Sequence, residues 1–266
     1  MRSLWGREAL RRTMSATLDI RFIGKGAFDS TEAVMTVVGH LAGIFRYPVK
    51  SMCAEKLDSV EVSWHGLAGD RRWAFIRDGH VSSGFPWLTI RDRPEMAHYR
   101  PRFAEPDRPD ASTTLVSTPS GQELDVADPA LAVELGPGIR VIKQNRGVFD
   151  TMPLSLLTTQ ALASLGKLVG AGLTAVRFRP NLLLATTDGE FPEDNWVGRV
   201  LRIGGLRMRV DQRDQRCVMV TIDPETLHQN PAILRAIARQ RHNQFGVYGS
   251  TVEPGRVAVG DPVELV

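Results

Sequence analysis

Val200-Leu-Arg-Ile-Gly-Gly-Leu-Arg-Met-Arg-Val210 is two short β-prone runs separated by a pair of glycines. Gly204 and Gly205 carry no Cβ, so they can adopt the positive φ values of a two-residue hairpin turn, and the stretch predicts two antiparallel strands. Similar runs lie on both sides. Residues 245–266 are broken by Pro254-Gly255 and Gly260-Asp261, so the chain is expected to end in strands. Earlier, residues 40–45, 57–64, 72–77, 114–117 and 139–143 read as strands, and the polar, proline-rich residues 105–112 as a solvated loop. Helices are fewer. Over residues 158–169, Leu162, Leu165 and Val169 share one helical face, with Gly170 and Gly172 as stop signals. Asn230-Pro231 supplies an N-cap and a first-turn proline, and Ile233, Leu234 and Ile237 make the apolar face of a helix ending near Arg241. The fold class is therefore mainly β with some α.

Composition narrows the function. Apolar residues at 42% and charged residues at 24% are those of an ordinary globular protein. With 33 basic against 30 acidic residues, the formal charge of +3 gives no field argument for nucleic acid. Two cysteines, Cys53 and Cys217, are too few for an all-cysteine zinc site, a four-cysteine iron–sulfur cluster or a disulfide framework. The sequence has no HExxH, no Walker loop, no GxSxG elbow and no GxGxxG opening a helix. No apolar run approaches the roughly 20 residues that span a bilayer, so no membrane is expected and the cytoplasm is the default location. Arg2, Arg7, Arg11, Arg12 and Arg21 resemble a transit segment, but Glu8 and Asp19 interrupt it. Residues 1–36 are read as a mobile extension, with Met14 or Met35 as alternative starts.

Three stretches carry the chemistry. Arg46-Tyr-Pro-Val-Lys-Ser51, with Arg71 beyond the Gly66-Leu-Ala-Gly69 turn, can form a cradle for an anion such as phosphate; the plainer reading is a solvated Lys-Ser pair. Arg179 and Asn181 stand at the mouth of the apolar run that follows them. Arg179 can hold an anion and Asn181 a heterocycle, or they are a salt-bridge arginine and a turn asparagine. Arg216-Cys217, with Arg213 nearby, places cations where they favour a thiolate, the ligand that soft transition metals prefer. Against that, cysteine is often a buried small hydrophobe, and Val-Met-Val follows it. Asp223 before Pro224 also reads as a cap, and Cys53 as packing.

Together and in order, these fragments resemble MOSC proteins that carry an N-terminal MOSC β-barrel domain, and within them the mitochondrial amidoxime-reducing component and its bacterial counterparts. The resemblance runs from Gly39 to the end of the chain. It rests on Tyr47-Pro-Val-Lys-Ser-Met52, Gly66-Leu-Ala-Gly-Asp-Arg-Arg-Trp73, Pro153-Leu-Ser-Leu-Leu157 and Phe178-Arg-Pro-Asn181. Further support comes from Glu193-Asp-Asn-Trp196, Arg216-Cys217 with Asp223, Gly246-Val-Tyr248 and Val259-Gly-Asp261.

The resemblance implies two β-barrel-like lobes, residues 37–145 and 146–266, with a molybdenum cofactor (molybdenum–molybdopterin) between them. It implies that Cys217 is the metal ligand and, with Asp223, catalytic. Lys50, Ser51 and Arg71 would hold the phosphate, Arg179 and Asn181 the pterin side, and Asp150 and Ser155 further parts of the cofactor. The implied activity is reduction of small N-hydroxylated substrates. Electrons would come from a separate reductase, a flavin or iron–sulfur protein, because the chain has neither a flavin motif nor enough cysteines for a cluster. Since MOSC domains also end cofactor sulfurases, a carrier or sulfur-relay role is the alternative.

Overall fold

The computed structural model describes residues 35–79, 84–187 and 189–266. The extension expected over residues 1–36 lies outside the described residues as far as residue 34. The first half contains β1 (Thr36–Arg46), β2 (Glu55–Leu57), β3 (Ser59–Ser63), β4 (Gly66–Leu67), β5 (Trp73–Arg77), β6 (Arg100–Phe103), β7 (Thr114–Ser117), β8 (Glu123–Asp125), α1 (Pro129–Leu135) and β9 (Ile139–Lys143). The second contains β10 (Leu154–Thr158), α2 (Thr159–Val169), β11 (Leu182–Thr186), β12 (Val200–Ile203), β13 (Leu206–Gln215), α3 (Pro231–Arg241), β14 (Gln244–Glu253), β15 (Gly255–Ala258) and β16 (Pro262–Leu265).

The mainly β class expected from the sequence is what forms. Seven strands run in the order β11-β10-β14-β13-β12-β16-β1, and β1 pairs back onto β11 to close a barrel, with β2 attached to β1. Closure leaves no free edge among those seven strands. The strand that closes it comes from the other half of the chain: Ile44 sits opposite Leu182, and His40 opposite Pro262. Likewise β15 pairs with β3, Val257 opposite Val60. The predicted hairpin is β12–β13, Ile203 facing Leu206, with φ +53° at Gly204. Residues 57–64 divide at Asp58 because β2 pairs with β1 whereas β3 joins the separate β15-β3-β4 sheet.

Strands β10 and β11 show why part of the pattern was hidden. They are parallel, with α2 as the crossover, and both of their faces are covered. Leu154, Leu156, Leu182 and Leu184 join the cluster that includes Leu201, Met208 and Val247, while Leu157 packs with Leu165 of α2 and Ile237 of α3. A strand buried on both sides shows no polar alternation, so β10 does not announce itself. Each such leucine contributes about 2–3 kcal/mol of burial. Helix α1, also unforeseen, does have a signal: the Asp128 side chain accepts from Ala130 N, and Pro129 takes the first turn. A third cluster, with Val49, Phe75, Met96, Val116 and Leu131, forms the core under β5–β9 and β6-β7-β8. Among the described residues no helix is long and apolar enough to cross a membrane.

Glu193 is fully buried beside α2, its Oε2 accepting from Thr158 Oγ1 at 2.7 Å. Burial pushes its carboxyl from 4.5 up to about 7, outweighing that hydrogen bond. The folded chain therefore holds a proton that the unfolded chain has released. Stability should fall as pH rises through that window, by up to about 3 kcal/mol. Glu193→Gln is expected to flatten most of this fall, seen as urea midpoints that change less between about pH 5 and pH 7.5 than in the wild type.

Candidate functional site

A cleft draws on both halves of the chain. Lys50 and Ser51 come from the turn after β1, Arg71 from the turn after β4, and Asp150 and Ser155 from the approach to β10 and from β10 itself. Arg177 and Arg179 come from the 3-10 turn Ala175–Phe178 and its cap; Asp214 and Cys217 from the end of β13; and Tyr248 from β14. Three of these residues are bent into left-handed backbone that side chains avoid: Ser51 at φ +67°, Arg71 at +49° and Arg179 at +55°. Such conformations cost roughly 1–3 kcal/mol each and persist where surrounding structure enforces them, commonly at ligand sites. Gly69 permits the turn before Arg71: at φ +80°, an added Cβ would lie 2.7 Å from the Phe103 ring.

Behind the cleft a buried polar network ties four distant segments together. Asp70 accepts from Tyr47 N at 2.7 Å, from Asn181 Nδ2 at 3.0 Å and from Arg71 Nη1. Arg71 Nη2 reaches the Arg179 carbonyl at 3.2 Å. Asn181, at 1% exposure, also donates to the Phe45 carbonyl and accepts from Ser155 N and Ser155 Oγ, at 3.2 and 3.1 Å. The Arg71 and Arg179 guanidiniums lie 4.6 and 4.2 Å from the centroid of the Tyr47 ring. Arg179 Nη1 donates to the Met52 carbonyl, while its Nη2, buried, has no partner.

The charges are perturbed accordingly. Burial pulls the Lys50 ammonium below the usual lysine range, against the upward pull of Asp150, whose Oδ1 it reaches at 2.5 Å. Burial raises the Asp150 carboxyl, but the Lys50 charge and hydrogen bond outweigh it and hold it low. Arg179 is lowered by burial. Asp214 is pushed by burial up to about 6, despite Arg216 Nη2 at 2.8 Å and a hydrogen bond from Tyr248. Its upward shift adds to the same fall in stability with pH as Glu193.

Cys217 is exposed at this cleft, which removes the packing reading for it. The two cations expected to serve it are otherwise engaged: Arg216 by Asp214 and the Phe245 and Phe178 carbonyls, Arg213 by Asp194. Cys53 is half-buried and does not reach this cleft. Among the described residues no three His, Cys, Asp or Glu side chains converge as a metal site, so a metal held by Cys217 has to bring other ligands with it.

Of the residues named from sequence, Lys50, Ser51, Arg71, Asp150, Ser155, Arg179 and Cys217 meet at the cleft. Asn181 and Asp223 do not line it. The Asn181 amide, expected to read a heterocycle, is occupied by the network beneath. Asp223 Oδ1 caps the following turn, accepting from Glu225 N and Thr226 N, and its Oδ2 pairs with Arg177, which does line the cleft. Its carboxyl, raised by burial, is held low overall by those backbone bonds and by Arg177. Sequence reasoning passed over Arg177, Asp214 and Tyr248. For Asp214 the strand offers no clean signal: β13 is bulged between Val210 and Gln212 and again between Arg213 and Gln215, and Gln212, two positions earlier, is exposed, so the alternation of Leu206, Met208 and Val210 does not carry through to it.

A molybdenum cofactor sulfurase of Drosophila grimshawi is 27% identical over 268 aligned positions, spanning 83% of this chain and 34% of the sulfurase. Mitochondrial amidoxime-reducing component 1 of Homo sapiens is 30% identical over 130 positions, spanning 44% of this chain and 38% of that protein. The chain thus covers little more than a third of the curated relatives it matches. Among solved structures, the YUAD protein from Bacillus subtilis aligns over 87% of this chain and 97% of that one, at TM-score 0.47 and 12% identity. The model of the MOSC N-terminal beta barrel domain matches residues 38–135 and that of the MOSC domain residues 143–264, so the chain belongs to the MOSC family and carries both of its domains in tandem.

Proposed function

We propose that the chain is a cytoplasmic molybdenum-cofactor-dependent oxidoreductase that reduces N-hydroxylated compounds with electrons from a separate flavin or iron–sulfur reductase. The observation that carries this reading is the pairing of an exposed thiol, Cys217, with a wall of cations of which Arg179 keeps a buried, unpartnered N–H. Both features fit the group: a thiolate suits a soft metal, and guanidinium and ammonium suit a phosphate and a pterin edge. When bound, the cofactor supplies two-electron oxygen-atom chemistry.

The chain's own residues do the rest. Cys217 Sγ ligates the metal. Lys50, Ser51 and Arg71 hold the phosphate, with Asp150 fixing the Lys50 ammonium, and Arg179 faces the pterin side, its backbone carbonyl held by Arg71. Ser155 and Asn181 keep the Arg179 loop in place through the network below it. Asp214, its carboxyl raised by burial to about 6 and hydrogen-bonded by Tyr248, is the group lining the cleft that would take up and hand on a proton. Asp223 acts through Arg177.

Lys50→Met is expected to cut cofactor retention about tenfold or more, because the buried ammonium that meets the phosphate is gone. Molybdenum and pterin content of purified protein, made in a host that synthesises the cofactor, measures this. Stoichiometric molybdenum together with turnover of an amidoxime by the wild type supports the reading; no molybdenum in the wild type overturns it. A carrier or sulfur-relay role is the second reading, favoured by the sulfurase match spanning 83% of the chain against 44% for the amidoxime-reducing component. A persulfide on Cys217 without turnover selects it.

A further inference from the structure

Cys217 is bracketed by bonds to one neighbouring turn. The 3-10 turn Ala175–Phe178 and the 3-10 turn Val218–Thr221, which begins directly after Cys217, hold each other by one arginine apiece. From the first, Arg177 Nη1 donates to the Val220 and Thr221 carbonyls at 3.4 and 3.3 Å. In return Arg216, one residue before Cys217, donates through Nη1 to the Phe178 carbonyl at 2.9 Å. The turn that receives and gives these bonds runs straight into Arg179.

Both arginines are fixed from behind. The Arg177 side chain, at 7% exposure, places Nη2 on Asp223, whose Oδ1 is in turn held by Glu225 N and Thr226 N. Arg216 places Nε on the Phe245 carbonyl at 2.7 Å and Nη2 on Asp214 at 2.8 Å. A guanidinium presents its donors in a rigid fork, so each arginine sets several acceptors in one fixed relation. The two arms differ in their backing. The backbone of Arg216 is also tied to Asn243, whose carbonyl accepts from Arg216 N and whose Nδ2 donates to the Arg216 carbonyl, at 2.9 and 2.8 Å. Beyond Cys217, the turn keeps its shape by bonds that do not involve Arg177: Val220 N to the Cys217 carbonyl, Thr221 Oγ1 to the Val218 carbonyl and Asn230 N to the Thr221 carbonyl. Losing the Arg177 guanidinium therefore frees where the turn stands, while its internal fold is kept.

We propose that Arg177, held by Asp223, is a positioning residue for Cys217: it fixes the separation between the thiol and the Arg179 loop, so that a group ligated by Cys217 and met by Arg179 finds both at one distance. The catalytic consequence rests on the cofactor reading; the clasp between the two turns does not. A misplacement of about 1 Å in a reacting group can cost about a hundredfold in rate, which is why such a clasp matters.

The test compares the full-length wild type with Arg177→Met and Asp223→Asn. Hydrogen exchange read by peptide mass should be about tenfold faster over residues 217–222 in Arg177→Met and about threefold faster in Asp223→Asn, with peptides of β5 and β9 unchanged. Asparagine keeps an oxygen for the two backbone bonds and removes only the charge, so this variant decides the matter where Arg177→Met folds poorly. In protein carrying molybdenum, Arg177→Met should keep its metal and pterin, hold KM within about twofold and lose about tenfold in kcat, with a shifted paramagnetic resonance signal of the pentavalent metal. The assignment is overturned by wild-type exchange over residues 217–222 in both variants, by an equal rise in β5 and β9, which marks general loosening, or by loss of the cofactor from Arg177→Met, which marks a direct contact. Wild-type kcat and resonance signal in Arg177→Met would overturn it as well. Absence of molybdenum from the wild type would overturn the cofactor reading alone, and the exchange measurement then decides the clasp by itself.

Discussion

Under the proposed reductase function, replacing Cys217 by serine is expected to lower turnover of an N-hydroxylated substrate about a thousandfold, equivalent to about 4 kcal/mol of transition-state stabilisation. The hydroxyl keeps the shape of the side chain but is a hard, protonated oxygen at neutral pH, where a soft metal prefers a thiolate. Because the thiol is exposed and has no packing duty, the urea midpoint should stay within about 0.5 kcal/mol of the wild type. That combination separates a ligand from a structural cysteine. Cys53→Ser, outside the cleft, serves as the matched control and should keep wild-type turnover. Steady-state rates, molybdenum content and the urea midpoint, measured on all three proteins, check it. Turnover retained by the Cys217→Ser protein would remove the ligand assignment.

Asn181→Ala should produce the largest loss of stability at the site, about 3–4 kcal/mol. One amide there joins Asp70, Phe45, Ser155 and Arg71, and it is almost wholly excluded from water. Truncation leaves buried donors and acceptors unpaired, and each costs about 1–3 kcal/mol, in addition to the small cavity. Asn181→Asp distinguishes the hydrogen bonds from the volume. It fills the same space, yet turns a donor toward Asp70 into a second carboxylate, and is expected to be at least as destabilising as alanine. Urea unfolding of the two variants measures both losses; an aspartate variant as stable as the wild type would show that the network does not carry the fold of this site.

The short strands and both of the predicted helices were legible because each shows a local signal. The Gly204-Gly205 hairpin, the Asn230 N-cap and the 114–117 and 139–143 runs all depend on neighbours within a few residues. Strand β10 was not, since its burial on both faces removes the alternation that marks a strand. Among the site residues, those whose chemistry is plain in type were found, cations beside a hydroxyl and a lone cysteine beside arginine. Asp214 was missed because an acid in a strand reads as solvent-facing until the barrel sets its parity. Asn181 was found for a role its surroundings do not leave free, since an amide looks equally available in sequence whether water or four buried partners surround it.

The sequence by itself determined the mainly β class, the hairpin and helix boundaries, and which residues bring charge, thiol and hydroxyl to the site. These follow from propensity, capping and side-chain chemistry, properties of a residue and its near neighbours. Only the tertiary structure decided that β1 closes a barrel made otherwise from the second half, and that Lys50, Arg71, Arg179 and Cys217 share one cleft. It alone decided which polar groups are satisfied: Arg216 is taken by Asp214, whereas Arg179 Nη2 is left open. The reason is physical. Burial and hydrogen-bond satisfaction depend on the folded surroundings, where partners can be two residues apart, as Arg216 and Asp214 are, or more than a hundred, as Asn181 is from Asp70 and Arg71, and no local pattern encodes which of them will be met.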